Sequence, residues 1–360
     1  MSVKIAATTA LTMVDLFAGC GGITSGFMRT GQFRPIGAVE MDREAAATYA
    51  QNFGEHIHVG DIAGWVSGSL PSADVVVGGP PCQGFSQLGK QDPLDVRSGM
   101  WGHYVTALEA IRPTYFVMEN VPQFLKSPQF EEFSRQFGAR GRLSRYRLDP
   151  YILDASLYGT SQRRRRAVVI GSLKDTGPVL FRAASRPSTV REAWVDLPTK
   201  VDTIDLPQSF VEVNGGTVQG AFKLRDLHFT RVPTDLSMAR YRAIPPGGDR
   251  RDLPDELKAP CWRRHTRGSA DVMGRLSLDK PSVTIRTEFF KPEKGRYLHP
   301  TENRPITHAE AAAIQGFDED FMWCGSKISI ARQIGNAVPP PLAESIADAL
   351  LESAGMARED

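Results

Sequence analysis

Cys82 stands behind two prolines, Pro80 and Pro81, at the mouth of a short valine run in the stretch DVVVGGPPCQGFSQLGK, residues 74–90. Gly84 and Gly89 follow it in what reads as a loop. A thiol at a rigid strand end could act as a nucleophile, yet a single cysteine is most often a small buried hydrophobe, and position alone leaves both readings open. Further along, Glu119 follows a buried run in TYFVMENVPQF. Gln162, Arg164 and Arg166 alternate in YGTSQRRRRAVVIGS, so they share one face if the segment is extended. Asn336 marks a turn before the last helix in ARQIGNAVPPPLAESI. An acid after a strand can also be a cap or a surface group, and four consecutive arginines can be a solvated edge.

A second group of residues suggests a bound nucleoside. MVDLFAGCGGITSGF places a strand before Gly19, Gly21 and Gly22 and a helix after them. A dinucleotide fingerprint would need glycine where Thr24 stands, which disfavours a pyrophosphate. Glu40 ends the next strand, 21 residues after Gly19, where a carboxylate can accept two hydrogen bonds from a ribose diol. Asp61, in VGDI, ends the third strand and could accept from an adenine amine. A glycine loop with two strand-end acids suits S-adenosylmethionine; the alternative is a tight turn flanked by two solvated acids.

These groups need a scaffold, and the first 175 or so residues supply its pattern. Apolar runs such as TMVDLF, PIGAVE, ADVVVGG, TYFVMEN and RRAVVIGS alternate with helical stretches such as ITSGFMRT, REAAATYAQNF and WGHYVTALEAI. The alternation predicts an α/β domain with a mostly parallel sheet covered by helices. From about residue 182 Pro, Gly and Arg become frequent and helical periodicity fades, which predicts a smaller, loop-rich second domain over 182–302. Regular pattern returns at Thr307, three residues before Glu310 in capping-box spacing, and 342–354 reads as a final amphipathic helix. The first domain is therefore expected to comprise 1–181 and 303–360.

Composition narrows the classes. The chain has 360 residues, 41% hydrophobic and 23% charged, with no apolar run of membrane-spanning length. Its four cysteines, Cys20, Cys82, Cys261 and Cys324, form no CxxC pair, so neither a disulfide framework nor a metal site is expected, and a reducing cytoplasm is the expected home. The net charge is only +2, but residues 222–267 hold eleven Lys and Arg against six acids, whereas 201–221 hold three acids and no base. A basic segment beside a catalytic domain is what a phosphate-binding face needs; a solvated surface is the plainer alternative.

Taken together, DLFAGCGGITSGF, the VEMD and GDI strand ends, GGPPCQGFSQLGK, MENV, QRRRR and QIGNAVPP resemble the DNA cytosine-C5 methyltransferase family, in its order and spacing, over residues 12–171 and 275–343. The family commonly has Val-Pro where Thr160 and Ser161 precede Gln162; the Gln-x-Arg-x-Arg spacing is kept. The resemblance implies a Rossmann-like S-adenosylmethionine-dependent domain, with S-adenosylhomocysteine as product, and a target-recognition domain in the variable middle segment. It implies that Cys82 adds to C6 of cytosine and so makes C5 able to attack a methyl sulfonium. Glu119, when protonated, would donate to N3, which requires a closed site favouring its neutral form. Arg166 would hold the O2 edge, and Arg164 would orient the thiolate or Glu119. The target cytosine would have to be flipped out of the duplex.

By the same resemblance Phe17 would stack near the adenine, and Met41 and Ile62 would pack on it. Pro81, Met100 and Asn336 would line the cofactor pocket with Gly19, Cys20, Gly22, Glu40 and Asp61. The expected partner is double-stranded DNA bound by a monomer, with a paired restriction endonuclease as a functional companion and no membrane. A transfer-RNA branch of the family carries Cys-Phe-Thr, which this chain lacks. A cofactor-binding regulator would not need Cys82, Glu119, Arg164 and Arg166 together, and a nicotinamide dehydrogenase fails on the missing third glycine.

Overall fold

The computed structural model describes residues 10–81, 99–183, 186–264 and 271–356. Valines 75–77 are wholly buried, and a strand covered on both faces belongs at the centre of a sheet. There β4 (Val75–Gly78) pairs in parallel with β1 (Leu11–Leu16) on one side and β5 (Tyr115–Asn120) on the other. Beyond β1 lie β2 (Phe33–Glu40) and β3 (Ile57–Val59), again parallel. The far edge holds β7 (Arg165–Leu173) and then β6 (Tyr146–Asp154), with β7 antiparallel to both its neighbours. The seven-stranded order is β3-β2-β1-β4-β5-β7-β6. The expected mostly parallel, Rossmann-like α/β architecture is present.

This order places the site. The chain winds outward from β1 to β3, then returns and winds the other way from β4 to β5. The carboxyl ends of β1 and β4 therefore flank a topological switch point, where open α/β sheets bind ligands. The two strands approach closely there: Leu16 pairs with Gly78, and a Cβ on Gly78 would lie 2.3 Å from the Leu16 carbonyl oxygen. The antiparallel β7 matters as much. It sets Ala167 opposite Asn120, so the first residues of β7 reach the carboxyl end of β5.

Alternate strand residues face two cores. Met13, Val75, Val77, Val117 and Ile170 pack under α1 (Gly22–Met28) and α11 (Pro340–Ser353). Val14, Leu16, Val76, Phe116 and Val169 face α4 (Met100–Ile111) and an aromatic group that includes Phe133, which α5 (Pro128–Arg135) carries. Thr307 and Glu310 form the expected capping box at the start of α9 (His308–Gln315).

The middle of the chain is as irregular as its composition suggests. A third core joins Val190, on α6 (Val190–Ala193), and Trp194, Phe222 and Ile285 to residues of α9 and α10 (Lys327–Asn336). The hairpin of β8 (Phe210–Val213) and β9 (Gly216–Gln219) lies against α2 (Arg43–Phe53): Val213 and Val218 pack on Ala47 and Cys324. A small fourth core of Tyr241, Ile244, Leu253, Met273 and Leu298 holds part of the basic middle segment, with α7 (Asp235–Ala243) on it. Buried Arg275 organises this part, donating to the carbonyls of Tyr241, Ile244, His299 and Glu302 and to Asn303 Oδ1.

Gly26 lies where α1 meets α11, and a Cβ there would sit 2.3 Å from the Pro340 carbonyl oxygen and 2.5 Å from Ala343 Cβ. Alanine normally stabilises a helix over glycine by about 1 kcal/mol. Here Gly26→Ala should instead destabilise by about 1–3 kcal/mol, because backbone cannot yield as a side chain can. Urea titration measures the difference; a variant as stable as the parent would refute this close packing.

Candidate active site

The three glycines after β1 serve three different ends. Phe17 at φ 58° and Gly19 at φ 56° turn the chain sharply in the left-handed region. Gly19 faces open space, so a ligand can reach its backbone. Gly21, at φ 88°, packs against the rings of Tyr49 and Phe53. Gly22 packs on the Val338 carbonyl, 2.3 Å from where its Cβ would be. Of the three, only Gly19 has the open side that the ligand reading needs; Gly21 and Gly22 secure α1 and α2 around the loop.

Glu40 closes the loop from the end of β2. Its Oε2 accepts from the Gly19 N–H and its Oε1 from the Asp42 N–H, both at 2.8 Å. Burial pushes its carboxyl up from the usual range, and those backbone donors oppose the push. Each carboxylate oxygen retains a second lone pair, so the diol of a ribose still fits. Asp61, at the end of β3, accepts from the Ala63 N–H as the cap of α3 (Ile62–Val66). Ile62 is buried in the sheet core, whereas Met41 is 74% exposed beside Glu40, free to cover a flat ligand. Cys20 lies with its thiol among core residues, 3.9 Å from the Gln333 carbonyl, and burial pushes that thiol up to about 12. Its side chain therefore packs, and only its backbone belongs to the loop surface.

Pro81 is exposed and Met100 half-buried at the start of α4. Cys82 lies outside the described residues. The segment leading to it is anchored: buried Asn120, at the end of β5, donates through Nδ2 to the Pro80 carbonyl at 3.1 Å. Its Oδ1 accepts from the Val121 N–H. Gly79 lets the chain pass Glu119, since a Cβ there would lie 3.1 Å from Glu119 Oε2.

Glu119 Oε1 meets Arg166 Nε at 2.8 Å, with both side chains largely shielded. The antiparallel register of β7 makes this pair possible. Arg164 does something else. It is 2% exposed and donates to the carbonyls of Ile285, Gly335 and Asn336. Its Nε is buried without a hydrogen-bond partner, and burial pulls the guanidinium down from its usual range. The cation on Glu119 is thus Arg166, while Arg164 clamps backbone carbonyls; its other expected partner, the Cys82 thiolate, lies outside the described residues. Burial alternates as the spacing suggests: Gln162 and Arg164 point inward, Arg163 and Arg165 outward. Gln162 Oε1 accepts from the Ile285 N–H, and its amide donates to Gln315. Asn336 itself is exposed at the end of α10.

The sequence alone did not single out Asn120 or Asp15, the buried acid of DLF. Both lie inside quoted motifs, so the signal was their setting between apolar residues. Among the described residues no cluster of His, Cys, Asp and Glu is arranged to hold a metal ion.

Residues 11–352 match the family of C-5 cytosine-specific DNA methylases. The chain is 33% identical over 358 residues to the type II methyltransferase M1.HphI of Haemophilus parahaemolyticus, covering 95% of this chain and 87% of that one. It is 30% identical over 384 residues to the type II methyltransferase M.DdeI of Desulfomicrobium norvegicum, covering 94% and 88%. Among solved structures, a putative DNA modification methyltransferase encoded within a prophage of E. coli superposes with a TM-score of 0.71 at 26% identity, covering 96% of this chain and all of the other.

Arg164→Ala would leave the carbonyls of Ile285, Gly335 and Asn336 without this donor, the first two in buried contacts. It should cost about 2–5 kcal/mol of stability, the range for stripping a partner from buried polar groups. A denaturant midpoint unchanged from the parent would show that the clamp carries no weight.

Proposed function

The chain belongs to the C-5 cytosine-specific DNA methylase family, and from that premise we propose that it methylates C5 of a flipped-out cytosine in a specific duplex sequence through a covalent bond between Cys82 and C6. It is a DNA (cytosine-5)-methyltransferase, and enzymes of this family use S-adenosylmethionine, which supplies an electrophilic methyl group. The finer assignment rests chiefly on one observation. The Glu119–Arg166 pair stands at 2.8 Å beside the anchored Pro80 that leads into Cys82. Across the switch point lies a glycine loop closed by Glu40.

In this reading the Cys82 thiolate attacks C6, the C5–C6 double bond opens, and negative charge spreads toward N3 and O2. Glu119 hands a proton to N3, and Arg166 holds the carboxyl group in place and lies within its reach of the ring's O2 edge. The residues at the ends of β1, β2 and β3 hold the adenosine: Glu40 takes the ribose diol, Phe17 and Met41 flank the base, and Asp61 meets its amine. After C5 has taken the methyl group, a base removes the C5 proton and Cys82 leaves. No metal is needed for these steps.

Duplex recognition is assigned to 182–302, and catalysis to 1–181 with 303–360. One core draws residues from both sides of position 302, so this division is one of role. The acidic hairpin lies against α2, which leaves the basic part around α7 and α8 (Pro260–Arg264) to meet phosphates. The relatives M1.HphI and M.DdeI are named type II methyltransferases, which supports a restriction-modification role with a paired endonuclease. We take the protein to act in the cytoplasm as a monomer. Among the described residues no helix is long and apolar enough to cross a membrane.

A duplex with 5-fluorocytosine at the target has no C5 proton to lose. With S-adenosylmethionine the protein should form a complex that survives denaturing electrophoresis. Cys82→Ser should form none, since a hydroxyl is far less ionised than a thiol, and Glu119→Gln should form it slowly. An adduct mapped to Cys20, Cys261 or Cys324 would overturn the mechanism. Exposed Arg263 and Arg264 test the DNA face: replacing both with alanine should flatten the log–log salt dependence of duplex binding by about 0.9 for each phosphate no longer neutralised. An unchanged slope would put the DNA elsewhere.

A further inference from the structure

Asp15 is a buried acid that the mechanism above leaves unused. It stands two residues before Phe17 and four before Gly19, at 1% exposure. Its Oδ2 accepts from Thr24 Oγ1 at 2.7 Å, and its Oδ1 is buried with no hydrogen-bond partner. The titratable groups that interact with it are Glu40 from β2, Cys20 from the glycine loop, Tyr49 from α2 and Tyr104 from α4. The strand residues paired with it, Ala38 and Val77, are apolar. Beyond Thr24, the Tyr49 hydroxyl lies 3.4 Å away and leads on to half-buried His56 at 3.2 Å. Two buried acids thus lie beneath one loop, and none of the groups interacting with Asp15 is a cation.

A buried carboxylate without a cationic partner is costly, and a cation arriving beside it recovers part of that cost. The cofactor and its product differ by one such charge, since S-adenosylmethionine carries a sulfonium and S-adenosylhomocysteine a neutral thioether. We propose that Asp15, through the negative field it shares with Glu40 beneath the glycine loop, makes the site favour the sulfonium cofactor over the thioether product. The inference rests on reading this loop as the cofactor site. It gives Asp15 a part in selectivity and product exit, at a distance from the reacting atoms.

The titration follows from the same setting. Burial, with Glu40 adding to it and Thr24 opposing, pushes the Asp15 carboxyl up to about 7. Below that pH the group gains a proton and its pull on the sulfonium is lost; above it the pull is present in full. A sulfonium that lowers this pKa by about one unit gains about tenfold in affinity from the ionised form.

Calorimetric titration with both ligands tests this. Asp15→Asn keeps an acceptor for Thr24 and removes only the charge. At about pH 8 it should lower the ratio of cofactor to product affinity by about tenfold, leaving product affinity unchanged. In the parent, that ratio should fall on acidification through about pH 7 more than in the variant, which carries the same titration of the ligand's own groups. Cofactor binding to the parent near neutral pH should also release more protons than product binding does, measured across buffers of different ionisation enthalpy, and Asp15→Asn should abolish the excess. Equal ratios in parent and variant, or no excess release, would overturn the proposal. Should Asp15→Asn fail to fold, Thr24→Val removes a donor that holds the carboxyl down; the midpoint of the pH profile should then move up, and an unmoved midpoint would overturn the proposal. A parent that binds neither ligand would refute the cofactor reading itself, a result distinct from equal ratios.

Discussion

A guanidinium without a carboxylate partner holds the two sides of this molecule together. Arg164 leaves the start of β7 and ends on carbonyls from Ile285, in the irregular middle of the chain, and from Gly335 and Asn336, at the end of α10. A buried cation is tolerated only when oxygen atoms surround it, so these segments cannot part without exposing a charge to an apolar interior. Gln162 adds a second tie to Ile285 from the same face of the strand. Through these two side chains the sheet, the segment before the last helices and the end of α10 adopt one arrangement. Asn336 lies at one end of that arrangement and the Glu119–Arg166 pair at the other.

The glycine loop obeys a related constraint, namely space. Gly21 and Gly22 are filled up to van der Waals contact by Tyr49, Phe53 and Val338, so the loop cannot shift toward α2 or α11. Gly19 alone borders open space, and its N–H is fixed by Glu40. Rigid walls with one open position produce a cleft whose shape is set before any ligand arrives, which lowers the ordering cost of binding. Asn120 plays the same part on the other side of the switch point by holding the Pro80 carbonyl.

Much of this was legible in the sequence because chemistry and turn geometry were packed into the same short motifs. The strand ends carrying Glu40 and Glu119 could be placed from alternation alone, and the Thr307–Glu310 box from its spacing. What could not be read was register. Pro150 makes RYRLDPYILD a poor strand by local rules, yet β6 is an edge strand, where a missing N–H is tolerated. Without β6 there was no sign that β7 would run antiparallel, and it is this reversal that gives Glu119 to Arg166 and turns Arg164 toward backbone carbonyls. The docking of the acidic hairpin on α2 was equally hidden, since it depends on packing between residues more than a hundred positions apart in the chain.

The site is electrically polarised along the sheet. Asp15 and Glu40 lie at β1 and β2, with Asp61 just beyond β3; the cations, Arg164 and Arg166, lie at the start of β7, where Glu119 pairs with Arg166. On the proposed reaction the cofactor sits over the acids and the base near the cations. With N3 protonated by Glu119 the ring is neutral when it attacks, so methyl transfer moves the positive charge of the sulfonium onto the ring as the neutral thioether leaves. A field that holds the sulfonium over the acids cannot favour moving that charge away, because it holds the reactants at least as well as the transition state. The polarity must act on either side of that step. Before it, the cations favour addition of the thiolate, which is when negative charge first appears on the base. After it, the thioether no longer answers the pull of the acids, and the attraction that brought the cofactor in no longer holds the product.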